Sequence, residues 1–463
     1  MIKVDFTWLA DVLNTSFNGE SRLVGNINTD TRTITTNEVF LALKGPNFDG
    51  HKFVQQAQER GAIAAIVESK IDCDIPQFVV EDTRLALGEI GKAIMAQVAP
   101  KTIAITGSVG KTTVKEMCAA VLARRGHVLA TNGNFNNDIG VPLTLMRLEE
   151  HHEYAVIELG ANHIGEIAHT AALTQPDVAV VCNVAPAHIE GFGSIEGVGQ
   201  AKGEIFSGLK ASGVAVINSD SEFAGMWQRG LGDKSQVRFS LTEKLDIWVE
   251  NVVLDHMAYA SFELCTENER VSVSLPLPGE HNVMNTLICA ALTTQLGASL
   301  QDVAEGVSQM NAPKGRVNLI KVHELLTVVD DTYNANVRSV KAAIDLLTKM
   351  PGHHIFALGD MGELGEQARE YHEEVGEYAR EKGIDELFTL GVLSRYASDV
   401  FEQSGQHFST REHLLEAVKL SLSKQLGHCT VVVKGSRSSR MELLVADLVD
   451  SGRETGTDGA SVC

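Results

Sequence analysis

A lysine and two threonines stand where an apolar run ends in a glycine-bearing turn. Thr102 to Thr106 has strand character, Gly107-Ser108-Val109-Gly110 makes the turn, and Lys111-Thr112-Thr113 opens a helix. That helix carries Val114, Met117, Cys118, Val121 and Leu122 on one apolar stripe. A turn of this kind gathers backbone N–H groups and the positive end of the helix dipole into one small space, which suits a polyphosphate. Lys111 is then expected along the β- and γ-phosphates of ATP, with the Thr112 hydroxyl on Mg²⁺. The residues from Gly107 to Thr113 form the expected nucleotide-binding segment. The full pattern asks for glycine six residues before the lysine, where this chain has Ile105. An ordinary strand–turn–helix shares the outline, but Gly-Lys-Thr between a clean strand and a clean helix favours phosphate. Gly126 is expected to stop the helix as a left-handed cap.

Other residues could add chemistry to this turn. Tyr154 to Glu158 is a buried-type strand that ends in a carboxylate, which suits a Mg²⁺ ligand beside phosphates. His188 follows the strand Val178 to Asn183 and lies in a polar, glycine-rich stretch, so it could bind a cation or accept a proton. Lys202, taken on its residue pattern alone, reads as an exposed helix lysine. Two asparagine clusters, Thr131 to Asp138 and Asp331 to Asn336, are dense in amide donors and acceptors. They suit a sugar-and-peptide ligand, and they equally suit turns. Arg316, Lys434 and Arg437 are the cations placed in glycine- or serine-bearing turns, where they could meet phosphate or carboxylate.

The elements that must position these groups alternate strand and helix along most of the chain, which predicts an α/β protein with largely parallel sheets. At 463 residues the chain exceeds one core. Pro100 and the Asn311-to-Arg316 segment mark boundaries, giving domains of 1–98, 99–312 and 313–450. The first is a small α/β unit, the second carries the nucleotide turn, and the third has the βα spacing of a Rossmann-like sheet. Residues 240–278 read as an antiparallel excursion, and residues 451–463 as a disordered tail. Ser299 and Asp302 frame a capping box. The net charge of −21 argues against a nucleic-acid-binding surface. Seven cysteines (Cys73, Cys118, Cys182, Cys265, Cys289, Cys429 and Cys463) without a Cys-x-x-Cys pair read as reduced, cytoplasmic usage. No signal peptide or uncharged membrane-length run is apparent, so no membrane insertion is expected.

Taken in order, the segments resemble the Mur ligases, ATP-dependent amide-bond-forming enzymes of peptidoglycan synthesis. The resemblance rests on Thr106-Gly107-Ser108-Val109-Gly110-Lys111-Thr112-Thr113, whose short form accounts for Ile105, and on Asn134 to Pro142, Glu158 to His163 and Ala187 to Gly193. It continues through Lys202 to Phe206, His281 to Asn285, Tyr333 to Asn336, Gly359 to Gly365 and Lys434 to Ser438, so it covers nearly the whole chain. Within the family the motifs are most similar to those of the ligases that add D-alanyl-D-alanine to UDP-N-acetylmuramoyl-tripeptide. The resemblance implies those two partners, a monomeric enzyme of three domains, and two Mg²⁺ ions. One ion falls to Thr112 and Glu158, the other to His188 and Lys202, with Lys202 carbamylated by CO₂. It implies Asn282 near adenine, and Arg316 and Asp331 on phosphate and ribose. Thr31, Arg32, Asn47, Asp49 and His51 are implied on the UDP-sugar, and Asn134, Asn136, Asn137, Asn334, Asn336 and Lys434 on the rest of the substrates. Val337 departs from the family, which usually has proline there. Two rivals remain: a folylpolyglutamate-synthase-type ligase, which lacks a UDP-binding first domain, and a nucleotide switch that ligates nothing.

Overall fold

Short runs of Val, Ile and Ala, each closed by a polar or glycine-bearing loop, set the strands of three mainly parallel sheets. The structure is a computed structural model and describes residues 1–458 apart from 18, 46, 186–188 and 311–313, with the side chains of 189–190 and 452–458 left aside. The first sheet has four parallel strands, β1 (Asn26–Asn28), β2 (Glu38–Leu41), β3 (Ala64–Val67) and β4 (Gln77–Val79), in that order. Helix α1 (Thr83–Val98) follows, with the Asp82 carboxylate accepting the N–H groups of Arg84 and Leu85 at its start.

The central sheet has nine strands. In chain order these are β5 (Lys101–Thr106), β6 (Val128–Ala130), β7 (Tyr154–Glu158), β8 (Val178–Val181), β9 (Val214–Asn218), β10 (Ser235–Ser240), β11 (Ile247–Leu254), β12 (Tyr259–Cys265) and β13 (Arg270–Pro278). Their spatial order is β6-β7-β5-β8-β9-β10-β11-β12-β13. Only the β11–β12 and β12–β13 pairs are antiparallel, so the antiparallel excursion is an extension of this sheet and not a separate unit. Alternate residues supply its two faces. Ile103, Ile105, Val156 and Val180 pack under α2 (Lys111–Leu122), α5 (His281–Thr294) and α6 (Leu300–Ser308). Ala104, Ala155, Ile157 and Ala179 share the other core with Leu87, Ile90 and Ile94 of α1. That core therefore joins the first sheet's unit to the central one. The short helix α3 (Gly140–Leu145) starts two residues before Pro142, and α4 (Ile195–Gly203) carries Lys202.

The third sheet has six strands, β14 (Asn318–His323), β15 (Leu326–Asp331), β16 (His353–Gly359), β17 (Glu386–Leu390), β18 (Gly405–Phe408) and β19 (Cys429–Lys434). Their order is β14-β15-β19-β16-β17-β18, antiparallel only at β14–β15. Helices α7 (Val337–Leu347) and α8 (Ala368–Glu381) cover one face, and α9 (Glu442–Asp458) the other.

Two expectations are corrected here. Residues 451–458 are the end of α9, not a disordered tail, while 459–463 lie outside the described residues. Leu444, Val445 and Leu448 anchor the helix in the core, and each further residue adds a hydrogen bond to a turn already nucleated. Gly126 is not a left-handed cap: α2 ends at Leu122, and a Cβ on Gly126 would lie 2.3 Å from the Glu153 carboxylate. A side chain there would displace the Glu153 carboxylate. The capping box forms as expected, with Ser299 and Asp302 satisfying each other's backbone N–H groups. The boundary at 311–313 lies outside the described residues.

Candidate active site

Strand register brings the nucleotide turn and its neighbours to one sheet edge. Glu158 pairs across from Ile105, and Val181 from Thr106, so β7 and β8 end on either side of the turn leaving β5. Two glycines make the turn possible. Gly107 (φ 155°) lies so close to Cys182 that an added Cβ would stand 2.9 Å from its Cβ. Gly110 (φ 85°) is left-handed, and a Cβ there would stand 2.8 Å from Asn285 Oδ1. Asn183 fixes the turn, its Oδ1 accepting the Val109 N–H at 2.9 Å and its Nδ2 donating to the Val109 carbonyl at 2.8 Å. Ser108 Oγ donates to the Ala185 carbonyl at 3.1 Å and accepts the Ala185 N–H at 2.9 Å. No side chain caps the start of α2, which leaves its first N–H groups facing the cavity. Lys111 Nζ donates back to the Gly107 carbonyl at 2.7 Å. Burial lowers its pKa, with the Glu158 charge opposing that shift.

Thr112 and Glu158 lie in hydrogen-bond contact. The Thr112 hydroxyl donates to Glu158 Oε2 at 2.8 Å, and Asn136 Nδ2 donates to Oε1 at 2.9 Å. Arg316 reaches across from the C-terminal unit and donates to Thr112 Oγ1 at 3.0 Å, its guanidinium lying 4.1 Å from the Tyr333 ring centroid. A hydroxyl and a carboxylate side by side at a phosphate-binding turn are the hard oxygen donors that suit Mg²⁺. Among the described residues no group of three His, Cys, Asp or Glu side chains converges.

Lys202 is not the exposed helix lysine its pattern suggests. It is 3% exposed, and its ammonium lies 6.0 Å from the Phe192 ring centroid; elsewhere on α4, Gly199 and Gly203 seat Phe223 and Trp227, and Trp227 Nε1 donates to the Gly199 carbonyl. Burial, reinforced by the positive charge of Lys111, pushes the Lys202 pKa down to about 7. His188 lies outside the described residues.

A cavity of about 950 Å³ opens over these groups. Its central wall includes Gly107 to Thr113, Asn134, Asn136, Asn137, Glu158, Lys202 and Asn282; its C-terminal wall includes Arg316, Asp331, Asn334, Asn336 and Lys434. Several of these amides and charges already have partners. Asn137 Oδ1 accepts the Gly140 N–H, and Asn282 joins the Pro278 carbonyl and Asn285. Lys434 donates to Asp331 Oδ2 at 2.6 Å and to the Asn334 carbonyl at 2.9 Å. Asn336 caps α7 in a box with Ser339. Asn183 and Tyr333 were missed in the sequence; an asparagine at the end of an apolar strand was the available signal for Asn183.

Thr31, Arg32, Asn47, Asp49 and His51 do not line this cavity. Thr31 Oγ1 donates to Gln56, and Arg32 pairs with Asp30 at 2.6 Å. His51 Nδ1 meets Asp49 at 2.7 Å while Nε2 accepts the Glu68 N–H at 2.8 Å, so both ring nitrogens are engaged. Arg32 and Asn47 are exposed. Arg84, at the start of α1, pairs with Asp138 and ties the first unit to the asparagine loop.

Comparison with known proteins gives the family. Residues 105–293 match the Mur ligase middle domain, 315–437 the Mur ligase glutamate ligase domain, and 23–124 the Mur ligase family catalytic domain. The UDP-N-acetylmuramoyl-tripeptide--D-alanyl-D-alanine ligase of Escherichia coli K12 is 44% identical over 98% of this chain and 100% of its own length. The enzyme of the same name from Bacillus subtilis is 34% identical over 93% and 94%. A crystal structure of MurF from Acinetobacter baumannii superposes with a TM-score of 0.91 at 37% identity, covering 96% of this chain and 98% of that one. MurF from Thermotoga maritima in complex with ADP gives 0.82 at 26% identity, covering 93% and 98%. The chain belongs to the Mur ligase family.

Proposed function

We propose that this protein is an ATP-dependent ligase that joins D-alanyl-D-alanine to the C-terminal carboxylate of UDP-N-acetylmuramoyl-tripeptide, forming ADP and phosphate. The observation that carries the reading is full-length similarity to ligases of that name, at 44% identity over 98% of the chain. The cavity supports it. A phosphate-binding turn, a carboxylate and a cation from the C-terminal unit face one space of about 950 Å³, roomy enough to hold a nucleotide next to a second ligand.

A carboxylate is a poor electrophile. In the proposed sequence one of its oxygens attacks the γ-phosphorus of ATP and ADP leaves, giving an acyl phosphate. The amine of D-alanyl-D-alanine then adds to the acyl carbon, and the tetrahedral intermediate expels phosphate. The α2 N–H groups and Lys111 hold the polyphosphate and stabilise the charge that develops on transfer. Thr112 and Glu158 would hold Mg²⁺, which when bound offsets the repulsion between two anionic reactants. Arg316 joins the nucleotide turn to the C-terminal wall, a contact that favours a closed, water-poor site in which the acyl phosphate is protected.

Lys202 is read as carbamylated. A lysine with its pKa near 7 is substantially a neutral amine at neutral pH, the form that adds CO₂ and releases a proton to leave a carbamate. Its nearness to Lys111 disfavours a second cation and favours that anion. With His188 the carbamate would hold a second Mg²⁺. The first unit is proposed to bind the UDP-sugar through its loops at Thr31–Arg32 and Asn47–His51. Among the described residues no helix is long and apolar enough to cross a membrane, and six cysteines are unpaired, in keeping with work in the cytoplasm. ADP release measured with UDP-N-acetylmuramoyl-tripeptide, with and without D-alanyl-D-alanine, tests the function. Turnover that needs the acceptor and is completed by the dipeptide is expected; ATP hydrolysis indifferent to both substrates would favour the nucleotide switch.

A further inference from the structure

Lys115 is a buried cation that the mechanism leaves unused. It is 1% exposed, although an ammonium is costly to remove from water unless its partners compensate. Its Nζ donates to the Thr131 carbonyl at 2.6 Å and pairs with Glu116 Oε1 at 2.6 Å. Thr131 follows β6 and is itself 1% exposed. Its N–H donates to the Val156 carbonyl at 3.1 Å, and its hydroxyl accepts the Glu158 N–H at 3.0 Å. Thr112 and Lys115 are three residues apart on α2 and so share a face. One grips the Glu158 carboxylate; the other grips the residue that holds the Glu158 amide.

We propose that Lys115 and Thr131 are positioning residues that fix Glu158 against Thr112 for the metal bound there. The proposal rests on the reading of Glu158 as a metal-holding residue. Without the Lys115 ammonium the buried Thr131 carbonyl loses a donor, and without the Thr131 hydroxyl the Glu158 N–H is left unpaired. Either change frees the end of β7 to turn its carboxylate away from the nucleotide turn. Neither residue touches the nucleotide turn's own hydrogen bonds, so metal-free nucleotide binding should survive.

The test is calorimetric titration of ADP into the full chain, with and without Mg²⁺, scored as the tightening that Mg²⁺ confers. The unsubstituted protein and Thr131→Ser, which keeps the hydroxyl, are expected to show the same tightening. Thr131→Val and Lys115→Met are expected to lose about 10- to 100-fold of it, the usual cost of removing a group that orients a metal ligand. Their metal-free ADP affinity is expected to match the unsubstituted protein. Full tightening in Thr131→Val or Lys115→Met, alongside its loss in Glu158→Gln, overturns the positioning role and leaves the metal reading standing. Full tightening in Glu158→Gln overturns the metal reading, and the proposal with it. Should Thr131→Val fail to fold by thermal melt, Lys115→Met and Thr131→Ser decide: full tightening in the first or loss in the second overturns the proposal.

Discussion

The two walls of the cavity are built differently. On the central wall, groups far apart in sequence converge on one point: Thr112, Asn136 and, from the other wall, Arg316 all meet at the Glu158–Thr112 pair. Lys111 there donates to the Gly107 carbonyl. On the C-terminal wall the charged and amide groups mostly satisfy one another, as in Lys434 with Asp331 and Asn336 with Ser339. The difference separates a wall poised to exchange protein contacts for ligand contacts from a wall whose polar groups first hold its own loops. Removing a group from the first should cost chemistry, and from the second, stability.

Lys111→Ala is the strongest way to break that contrast. It removes transition-state charge without a core contact, so turnover should fall by about 10²- to 10³-fold with the melting temperature little changed. Lys434→Met should do the reverse. Lys434 is 1% exposed, and its loss removes the partner of the half-buried Asp331 and the donor to the Asn334 carbonyl, which should destabilise the fold by about 1–3 kcal/mol in denaturant titration. If Lys434→Met keeps full stability and loses only activity, the contrast between the walls fails.

Arg316→Ala sharpens the comparison, because this side chain belongs to one wall and acts on the other. Loss of a charge-assisted contact should weaken ATP binding by about 10- to 100-fold in KM, with stability close to unchanged. The smallest effect is expected at His372, buried behind the C-terminal wall. Its Nε2 accepts the Met361 N–H at 3.0 Å and its Nδ1 meets the Ala368 carbonyl at 2.6 Å. Burial lowers its pKa below the ordinary 6.5, while the Ala368 carbonyl and the Asp360 charge oppose that shift. The folded form therefore resists protonation more than the unfolded form. Its contribution to stability is full above pH 6.5 and declines as pH falls below that value towards the lowered pKa. Denaturant midpoints at about pH 7.5 and about pH 5.5 should differ more for the unsubstituted protein than for His372→Gln, which does not titrate.

Much of this was legible in the sequence because its signals are local. Tyr154 to Glu158 reads as a buried strand and is one, all five residues buried. The Lys111-Thr112 turn and its helix follow from adjacent residues. The burial of Lys202 was not legible, because it is set by tertiary neighbours such as Lys111 and Cys182, which lie far from it in sequence. The asparagine clusters mix roles that composition cannot separate: Asn136 reaches Glu158, whereas Asn336 caps a helix and Asn137 closes a turn. The ring of His51 pins its loop to the backbone of Glu68, a contact between residues 17 apart that no local pattern announces. The Lys115–Thr131 contact crosses from helix to strand end and leaves no pattern in either segment.

The central claim is that the central wall drives phosphoryl transfer to the substrate carboxylate. It is tested most directly with UDP-N-acetylmuramoyl-tripeptide labelled with ¹⁸O in its C-terminal carboxylate. Ligation through an acyl phosphate carries one labelled oxygen into the phosphate released with each peptide bond, which mass spectrometry of the phosphate would detect. Unlabelled phosphate accompanying normal formation of the D-alanyl-D-alanine product would contradict the account.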